Sequence, residues 1–289
     1  MRQPARNEAE LSAKGVLRKE EGEQAFRLKL FEPHPELRTW VEYYWAVEWD
    51  LGDKTFVQTV ITNPTIDLSF EADEATNSQP LCVVATGVTP RSYKRYLRRR
   101  GEAFAVHFHP GMFRPWWRGS LNMLTGTTQR LGYGERAWEV AAADLLPRLM
   151  KAPNDERVTL IDALLLCHRP PRDAIAEDIR DLVHAARHNR AFWDTNELAR
   201  RRGVSPRSNQ RQFLEYVGVS PKWVTQRYRV QAAIDVLDEE RMGPGERIDL
   251  TQLALELGYF DLAHFSRDFR AVTGYSPDNY RKGFTQATK

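Results

Sequence analysis

The stretch "LALELGYFDLAHFSRDFRAVTGYSPDNYRK" (Leu253–Lys282) is the second copy of a pattern that the chain also carries earlier. A Leu-Ala pair and a glycine at positions 198, 199 and 203 recur 55 residues later, at 253, 254 and 258. Beyond the glycine the displacement is 56, and the matched pairs are Arg211 with Arg267, Phe213 with Phe269, Gly218 with Gly274, Ser220 with Ser276 and Pro221 with Pro277. Eight matches in the same order indicate an internal repeat.

Each copy of the repeat is predicted to form two short helices joined by a tight turn. Asp194 and Asp249 are each followed three residues later by Glu or Gln, which is the spacing of a capping box at the start of a first helix. The repeated glycine ends that helix, because glycine adopts the left-handed conformation at low cost. Second helices begin at Ser205, which is followed by Pro206, and at Asp261. Two short helices around a glycine turn are typical of a helix-turn-helix unit.

The segment between the copies, "SPKWVTQRYRVQAAIDVLDEE" (Ser220–Glu240), is predicted to be one long helix. Trp223, Val230, Ile234 and Leu237 form an apolar stripe at helical spacing. A rigid helix between two such units would hold them at a fixed separation, which suits successive faces of the major groove.

The residues of the repeat resemble those of AraC/XylS-type transcription regulators. Asp261–Lys282, preceded by "LALELGYFD", is similar to the C-terminal signature of that family, and Ser205–Val224 is similar to its first reading helix and the start of its linker helix. The resemblance covers about residues 185–282. It implies a sequence-specific DNA-binding transcription regulator, an activator or a repressor, that is not an enzyme. The implied partner is double-stranded DNA, and a small-molecule effector, RNA polymerase and a second copy of the chain stay open as further partners.

The second helices carry the candidate DNA contacts. Phe213 and Val217 in the first copy, and Phe265, Phe269 and Val272 in the second, are expected to face inward. The opposite side holds the DNA-facing candidates, to which the resemblance also points, namely Arg207, Ser208, Gln210 and Arg211, and in the second copy Ala263, His264 and Arg267. An arginine that binds guanine through two hydrogen bonds gives about 1–3 kcal/mol of discrimination. Contact with phosphate, or pairing with a nearby acid, is the alternative for each arginine.

Asn209 departs from the family pattern, because it aligns with Phe265 at a position that is usually apolar. A buried asparagine without partners costs roughly 1–3 kcal/mol. We therefore expect helix 205–217 to sit differently or loosely, and Asn209→Leu to stabilise the domain if the site is buried. Leu262 and Ala263 also replace polar residues of some relatives, so the second unit is expected to read fewer bases.

The N-terminal half has a mostly strand-like pattern from Phe26 to His109, with one helix expected at Pro35–Trp45, and turns helical after Pro110. The resemblance implies a truncated cupin-like β-barrel that acts as a sensor or dimerisation module. The expected fold class is α+β: a cupin-like barrel, a helical connector and an all-α domain with two helix-turn-helix units joined by a long helix. The predicted divisions are a flexible charged tail over 1–24, the sensor over 25–132, the connector over 133–184 and the DNA-binding domain over 185–289.

The stretch "GEAFAVHFHPG" (Gly101–Gly111) contains the first part of a cupin metal pattern, Gly-x5-His-x-His. No glutamate follows His109, and the later histidines lie in predicted helices. Strand alternation places His107 and His109 opposite an apolar face, so they are expected to point outward or against a helix. Two imidazoles make a poor zinc or iron site, so we expect no metal and no cofactor. A metal-dependent cupin-type enzyme with an accessory helical domain is the competing interpretation.

Aromatic residues are abundant in the N-terminal half, and ligand pockets are typically lined by aromatic side chains around a few polar groups. The candidate effector pocket comprises Trp45, Trp49, Trp116 and Trp117. Ordinary packing of each tryptophan in the core is the alternative.

Composition sets the remaining expectations. The net charge is +3, and residues 185–289 carry 17 Lys and Arg against 13 Asp and Glu, which permits nucleic-acid binding without requiring it. No apolar run approaches the roughly 18 residues of a membrane helix, and the charged N-terminus lacks the features of a signal peptide. Cys82 and Cys167 are too few for a disulfide framework. We therefore expect a cytoplasmic protein that does not contact a membrane.

Overall fold

The computed structural model of the chain describes residues 22, 25–75, 81–242 and 247–282. The predicted tail over 1–24 lies outside the described residues, apart from Gly22. Within the part that is described, no helix is long and apolar enough to cross a membrane.

The N-terminal half is built on one antiparallel sheet of six strands in the order β1-β2-β5-β3-β4-β6. The strands are β1 (Arg27–Phe31), β2 (Val41–Val60), β3 (Asp67–Asp73), β4 (Leu81–Thr86), β5 (Tyr93–Phe108) and β6 (Thr128–Arg130). Among the described residues β1 pairs only with β2, and the three-residue β6 pairs only with β4. In the described residues the sheet is therefore open at β1 and β6, so the truncated cupin-like barrel implied by the resemblance is not closed.

The helix predicted over Pro35–Trp45 is wrong. Only Pro35–Leu37 form a short 3-10 turn, and strand β2 begins at Val41. Aromatic residues favour strands when both faces of the sheet are covered. In β2 the side chain of Tyr44 is fully buried, while its neighbours Tyr43 and Trp45 are half-buried on the other face. Pairing with β5 satisfies the backbone here, and this long-range contact overrides the apparent helical spacing.

Ten helices follow or connect these strands in the described part of the chain. They are α1 (Arg114–Trp117), α2 (Ala137–Leu149), α3 (Asn154–Cys167), α4 (Ala174–His188), α5 (Thr195–Arg201), α6 (Pro206–Tyr216), α7 (Pro221–Met242), α8 (Leu250–Glu256), α9 (Leu262–Thr273) and α10 (Pro277–Arg281). Helix α4 runs without a break across the boundary predicted between residues 184 and 185.

The core of the N-terminal half lies between one face of the sheet and helices α1 and α2. Phe104, Val106 and Phe108 of β5 are completely buried on this face, as strand alternation predicts. The ring of Phe108 packs against the ring of Trp116 in α1, with 5.4 Å between the ring centroids. The indole of Trp138 in α2 donates a 3.1 Å hydrogen bond to the carbonyl oxygen of Trp116. The opposite face of the sheet is therefore not part of this core.

The described residues from 185 onward form helices and turns, as predicted. The long helix α7 is packed by α4, α5, α6, α9 and α10. Its apolar residues Val230, Ala233 and Leu237 are completely buried, so it serves as the central axis of the helical domain.

The two copies of the repeat meet different surroundings at their second glycine. Gly218 has a φ of +92°, and a Cβ there would lie 3.0 Å from the carbonyl oxygen of Leu121. The hydroxyl of Thr125 donates a 2.6 Å hydrogen bond to the carbonyl oxygen of Gly218. Gly274 has a similar φ of +84°, but a Cβ there would meet no atom within 4 Å. The first copy is therefore docked on the N-terminal half at this point.

Candidate functional site

The first helix of each unit starts and ends as the sequence predicts. The Asp194 carboxylate accepts a 2.9 Å hydrogen bond from the amide of Asn196, and the Asp249 carboxylate accepts one from Thr251 at 2.7 Å. The glycines at 203 and 258 have φ values of +63° and +78°. Because these angles lie in the left-handed region, both turns require glycine.

The second helices are capped in the same way. The Ser205 hydroxyl accepts from the amide of Ser208 at 3.2 Å, and the Asp261 carboxylate accepts from the amide of His264 at 2.6 Å. Phe213 in α6 is completely buried, as are Phe265 and Phe269 in α9. Each second helix is thus held by an aromatic inner face and turns its polar side outward.

Helix α6 exposes most of its candidate DNA contacts. Three of the four candidates are exposed and one is half-buried, namely Arg207, Gln210, Arg211 and the half-buried Ser208. The Arg211 side chain is 69% exposed, and its Nη1 lies 3.7 Å from Oε2 of Glu215 one turn later. Glu215 binds Arg114 of α1 more closely, since Arg114 Nη2 donates to Glu215 Oε1 at 2.9 Å. Arg211 is therefore only loosely held and can turn toward a ligand.

Helix α9 presents a smaller set of polar groups. Ala263 and Arg267 are exposed, and within the described residues Arg267 makes no ion pair. The His264 side chain is 45% exposed, and its Nε2 lies 3.7 Å from Oδ2 of Asp268. The ring of Tyr259 meets the imidazole edge to face at 5.2 Å. Of the three candidates, His264 is thus partly held by its own unit, while the exposed Arg267 has no ion-pair partner among the described residues.

Asn209 is buried, as the sequence suggests, but it is not without a partner. Only 1% of the residue is exposed, and its Oδ1 accepts a 2.8 Å hydrogen bond from Nη1 of Arg202. The Arg202 side chain is itself 2% exposed, and its Nε donates to Oδ2 of Asp178 in α4 at 2.6 Å. The expectation for α6 rested on an asparagine without partners, whereas Asn209 belongs to a hydrogen-bond network that ties α6 to α4 through the half-exposed Asp178. No local sequence signal marks this network, since Asp178 is 24 residues from Arg202.

A cavity of about 220 Å³ lies on the face of the sheet opposite the core. Its apolar and aromatic walls come largely from β1 and β2, and include Leu28, Leu30, Tyr43, Trp45, Val47 and Trp49. Two acids, one arginine and one histidine also line it, namely Asp67, Glu71, Arg95 and His107.

The candidate pocket tryptophans separate into two groups. Trp45 and Trp49 line the cavity, whereas Trp116 and Trp117 lie in helix α1 on the core face of the sheet. Trp117 stacks near Phe113 with 6.0 Å between the ring centroids. The structure therefore does not bring Trp116 and Trp117 to the cavity.

His107 lies in the wall of the cavity and is 5% exposed, so the outward orientation expected for it is wrong. Its Nδ1 lies 2.8 Å from Oδ1 of Asp67, which also accepts a 3.0 Å hydrogen bond from the indole of Trp45. The ring of Tyr43 stacks on the imidazole at 4.5 Å. Burial alone would lower the pKa of His107, but the charge and hydrogen bond of Asp67 raise it above its usual value.

His109 faces helix α4, in agreement with the second orientation that strand alternation allows. Its Nδ1 lies 2.9 Å from Nε2 of His184. Burial lowers the pKa of His109 to about 4 and also lowers the pKa of His184. The carboxylate of Glu42 in β2 lies near both histidines: its Oε2 is 3.9 Å from His107 Nε2 and 3.9 Å from His109 Nδ1. Its Oε1 accepts a 3.0 Å hydrogen bond from Arg187 of α4. The cavity wall and helix α4 are thus connected through Glu42.

In the described ranges, no group of three or more His, Cys, Asp or Glu side chains is arranged to hold a metal ion. The imidazoles of His107 and His109 are instead engaged with Asp67 and His184.

The comparisons with known families match both halves of the chain. Residues 198–283 match the family described as "Helix-turn-helix domain", and residues 29–130 match "Domain of unknown function (DUF6597)". This match identifies residues 198–283 as a helix-turn-helix domain, in agreement with the repeated units and their exposed second helices. The domain is of the AraC type, which confirms the resemblance seen in the repeat.

Solved structures give weaker similarities over longer stretches. ToxT from Vibrio cholerae O395 is 11% identical, with 91% of this chain and 100% of that chain covered and a TM-score of 0.36. ToxT with a bound unsaturated fatty acid is also 11% identical, covers 100% of both chains and has a TM-score of 0.35. The C-terminal domain of AraT, a response regulator from Geobacillus stearothermophilus, is 20% identical, with 40% of this chain and 95% of that chain covered and a TM-score of 0.33. No curated protein matches the chain.

Proposed function

We propose that this chain is a sequence-specific transcription regulator that reads double-stranded DNA through α6 and α9. The observation that carries the proposal is the repeated arginine of the two units. Arg211 and Arg267 occupy equivalent positions of the repeat, and both are exposed on the side of the helix away from its aromatic inner face. An outward arginine on the second helix of a helix-turn-helix unit is placed to reach a base edge or a phosphate.

The buried helix α7 supports a bipartite mode of binding. It packs against both second helices, so the units are held by one rigid element rather than by a flexible linker. A fixed separation restricts the two units to DNA sites with a fixed spacing between half-sites. The operator of this regulator is therefore expected to contain two short elements at a constant spacing.

The second part of the proposal is that residues 25–132 form a sensor for a small-molecule effector, residues 133–184 a connector and residues 185–289 the DNA-binding domain. Contacts between the sheet domain, α4 and the first unit support this division of roles. Arg114 binds Glu215, and the Tyr216 hydroxyl donates to Asp173 at the start of α4 at 3.1 Å. A ligand that favours one arrangement of these elements would change how α6 is presented to DNA.

The test is selection of binding sites from a random DNA library with the full chain, followed by affinity measurements at several salt concentrations. A specific regulator should bind the selected duplex at least about 10³-fold more tightly than a scrambled duplex at the same salt. A ratio near one at every salt concentration would contradict sequence-specific binding.

Arg211→Ala then separates base reading from phosphate contact. We expect it to lose about 1–3 kcal/mol of discrimination at one base pair of the selected site, because Arg211 is exposed and loosely held. Arg148→Ala is the control, since Arg148 is a comparably exposed arginine in α2. A uniform loss over all sequences with a shallower salt dependence would instead assign Arg211 to a phosphate.

A further inference from the structure

The walls of the cavity favour a flat, largely apolar ligand. They are formed mainly by aromatic and aliphatic side chains, and the two tryptophans Trp45 and Trp49 come from the same face of β2. A dry cavity of about 150 Å³ is known to hold one benzene ring. At about 220 Å³, this cavity has room for two fused rings.

The basic groups of the cavity are already paired with acids. Both terminal nitrogens of Arg95 face the Glu71 carboxylate, with Nη2 donating to Oε2 at 2.9 Å and Nη1 to Oε1 at 3.4 Å. His107 is paired with Asp67 through one contact, 2.8 Å between Nδ1 and Oδ1. An anionic ligand would have to displace one of these carboxylates or lie beside it. The Glu71 side chain is only 13% exposed and the Arg95 side chain 37% exposed, and separating a largely buried carboxylate from its partner is costly, so the cavity disfavours anions.

One acceptor in the cavity remains unused. Both hydrogen bonds to Asp67, from Trp45 and His107, end on Oδ1, and within the described residues Oδ2 accepts none. The Asp67 side chain is 27% exposed, so Oδ2 is within reach of a ligand in the cavity. A hydroxyl or N–H group on the ligand would satisfy it with a charge-assisted hydrogen bond.

We propose that the cavity binds an uncharged two-ring aromatic molecule that carries one hydrogen-bond donor, and that the Glu71–Arg95 pair excludes carboxylates of the same shape. The regulatory meaning of this site rests on the proposed effector role. Binding itself is measured without DNA, so a failure here leaves the DNA-binding proposal intact.

The experiment is isothermal titration calorimetry of the full chain with three probes of one shape. 2-Naphthol is neutral and has a donor, 2-methoxynaphthalene lacks the donor, and 2-naphthoate is an anion. We expect 2-naphthol to bind most tightly, the methyl ether to bind about tenfold more weakly, and the carboxylate to bind at least about 100-fold more weakly. Equal or tighter binding of 2-naphthoate, or no binding of 2-naphthol, would overturn the proposal.

Glu71→Gln tests the source of the charge selectivity. Removing the carboxylate charge leaves the Arg95 guanidinium available, so the variant should bind 2-naphthoate at least about tenfold more tightly than the wild type does. Glu48→Gln is the matched control, because Glu48 is an exposed glutamate of β2 that does not line the cavity, and it should leave all three affinities unchanged. Unchanged naphthoate binding by Glu71→Gln would contradict the assigned role of the pair.

Val47→Phe tests the location of the ligand, because Val47 lines the cavity and a phenyl ring would occupy much of its volume. The variant should lose at least about tenfold in affinity for 2-naphthol, with a melting temperature showing that it is folded. If a folded Val47→Phe chain binds 2-naphthol as the wild type does, the ligand lies elsewhere and the proposal is wrong.

Discussion

Whether a substitution at Asn209 raises or lowers the stability of the fold depends both on the burial of this side chain and on its hydrogen-bond partner. The site is as buried as the sequence suggests, but the amide oxygen accepts a hydrogen bond from the buried guanidinium of Arg202. Leucine would fill the position and leave Arg202 Nη1 without this acceptor. Leaving a buried donor of a charged group without a partner destabilises the fold by more than the added apolar contact stabilises it.

We therefore expect Asn209→Leu to lower the free energy of unfolding by about 1–3 kcal/mol, contrary to the stabilisation expected from the sequence. Thermal and urea unfolding of the full chain measures the change. Asn209→Asp is the matched control, because it keeps an oxygen acceptor for Arg202 and should cost less than leucine. A leucine variant at least as stable as the wild type would show that the hydrogen bond contributes little.

At the scale of single elements, helices and turns could be predicted from the sequence where the residues that determine them are close together in the chain. The caps at Asp194 and Ser205 and the glycine turn at 203 are read within a few residues, and each is found in the structure. The segment from Tyr43 to Trp45 was predicted to be helical, because nothing near it in the sequence announces pairing with β5 some 60 residues later. The placement of His107 in a cavity has the same origin, since both faces of β5 are covered by elements that are distant in sequence.

The contact between β5 and helix α4 gives a prediction about pH. Burial, with a smaller contribution from the neighbouring His184 and Arg180, holds the pKa of His109 at about 4, below its ordinary value of 6.5, while Glu42 acts in the opposite direction. Since the unfolded chain takes up this proton at higher pH than the folded chain does, His109 makes the fold less stable as pH falls from 6.5 toward 4.

His109→Gln removes this proton uptake. Between pH 7 and pH 5 the wild type should lose about 2 kcal/mol more unfolding free energy than the variant does, and urea unfolding at the two pH values measures the difference. Parallel losses in the two proteins would show that His109 is protonated equally in the folded and unfolded chains.

At the scale of the whole molecule, one chain of contacts connects the cavity to helix α6. It starts at the cavity wall, passes through the side chain of Glu42 to α4, and leaves α4 toward α6; its members are His107, Glu42, Arg187, Asp178, Arg202 and Asn209. Each contact joins side chains from different parts of the fold. Helix α4 supplies both Arg187, on the cavity side, and Asp178, on the α6 side. Ligand and DNA binding are therefore expected to influence each other.

This coupling can be measured as a ratio of affinities. We expect the tightest ligand of the naphthalene series to change the affinity for the selected DNA by about fivefold or more, and DNA to change the ligand affinity by the same factor. Arg187→Ala removes the ion pair with Glu42 and should reduce the factor toward one, whereas Arg148→Ala should not change it. An equal factor in Arg187→Ala would show that coupling takes another route.

The surroundings of Gly218 and Gly274 imply that the second copy of the repeat tolerates changes in sequence and orientation better than the first copy does. A side chain at 218 would strain the turn and also press on the carbonyl of Leu121, so it would disturb two domains at once, whereas at 274 the cost is confined to the turn. Small changes of orientation can therefore accumulate in the second copy without disturbing the N-terminal half. New operator preferences should be easier to obtain, by selection in the laboratory or over generations, from changes around α9 than from changes around α6.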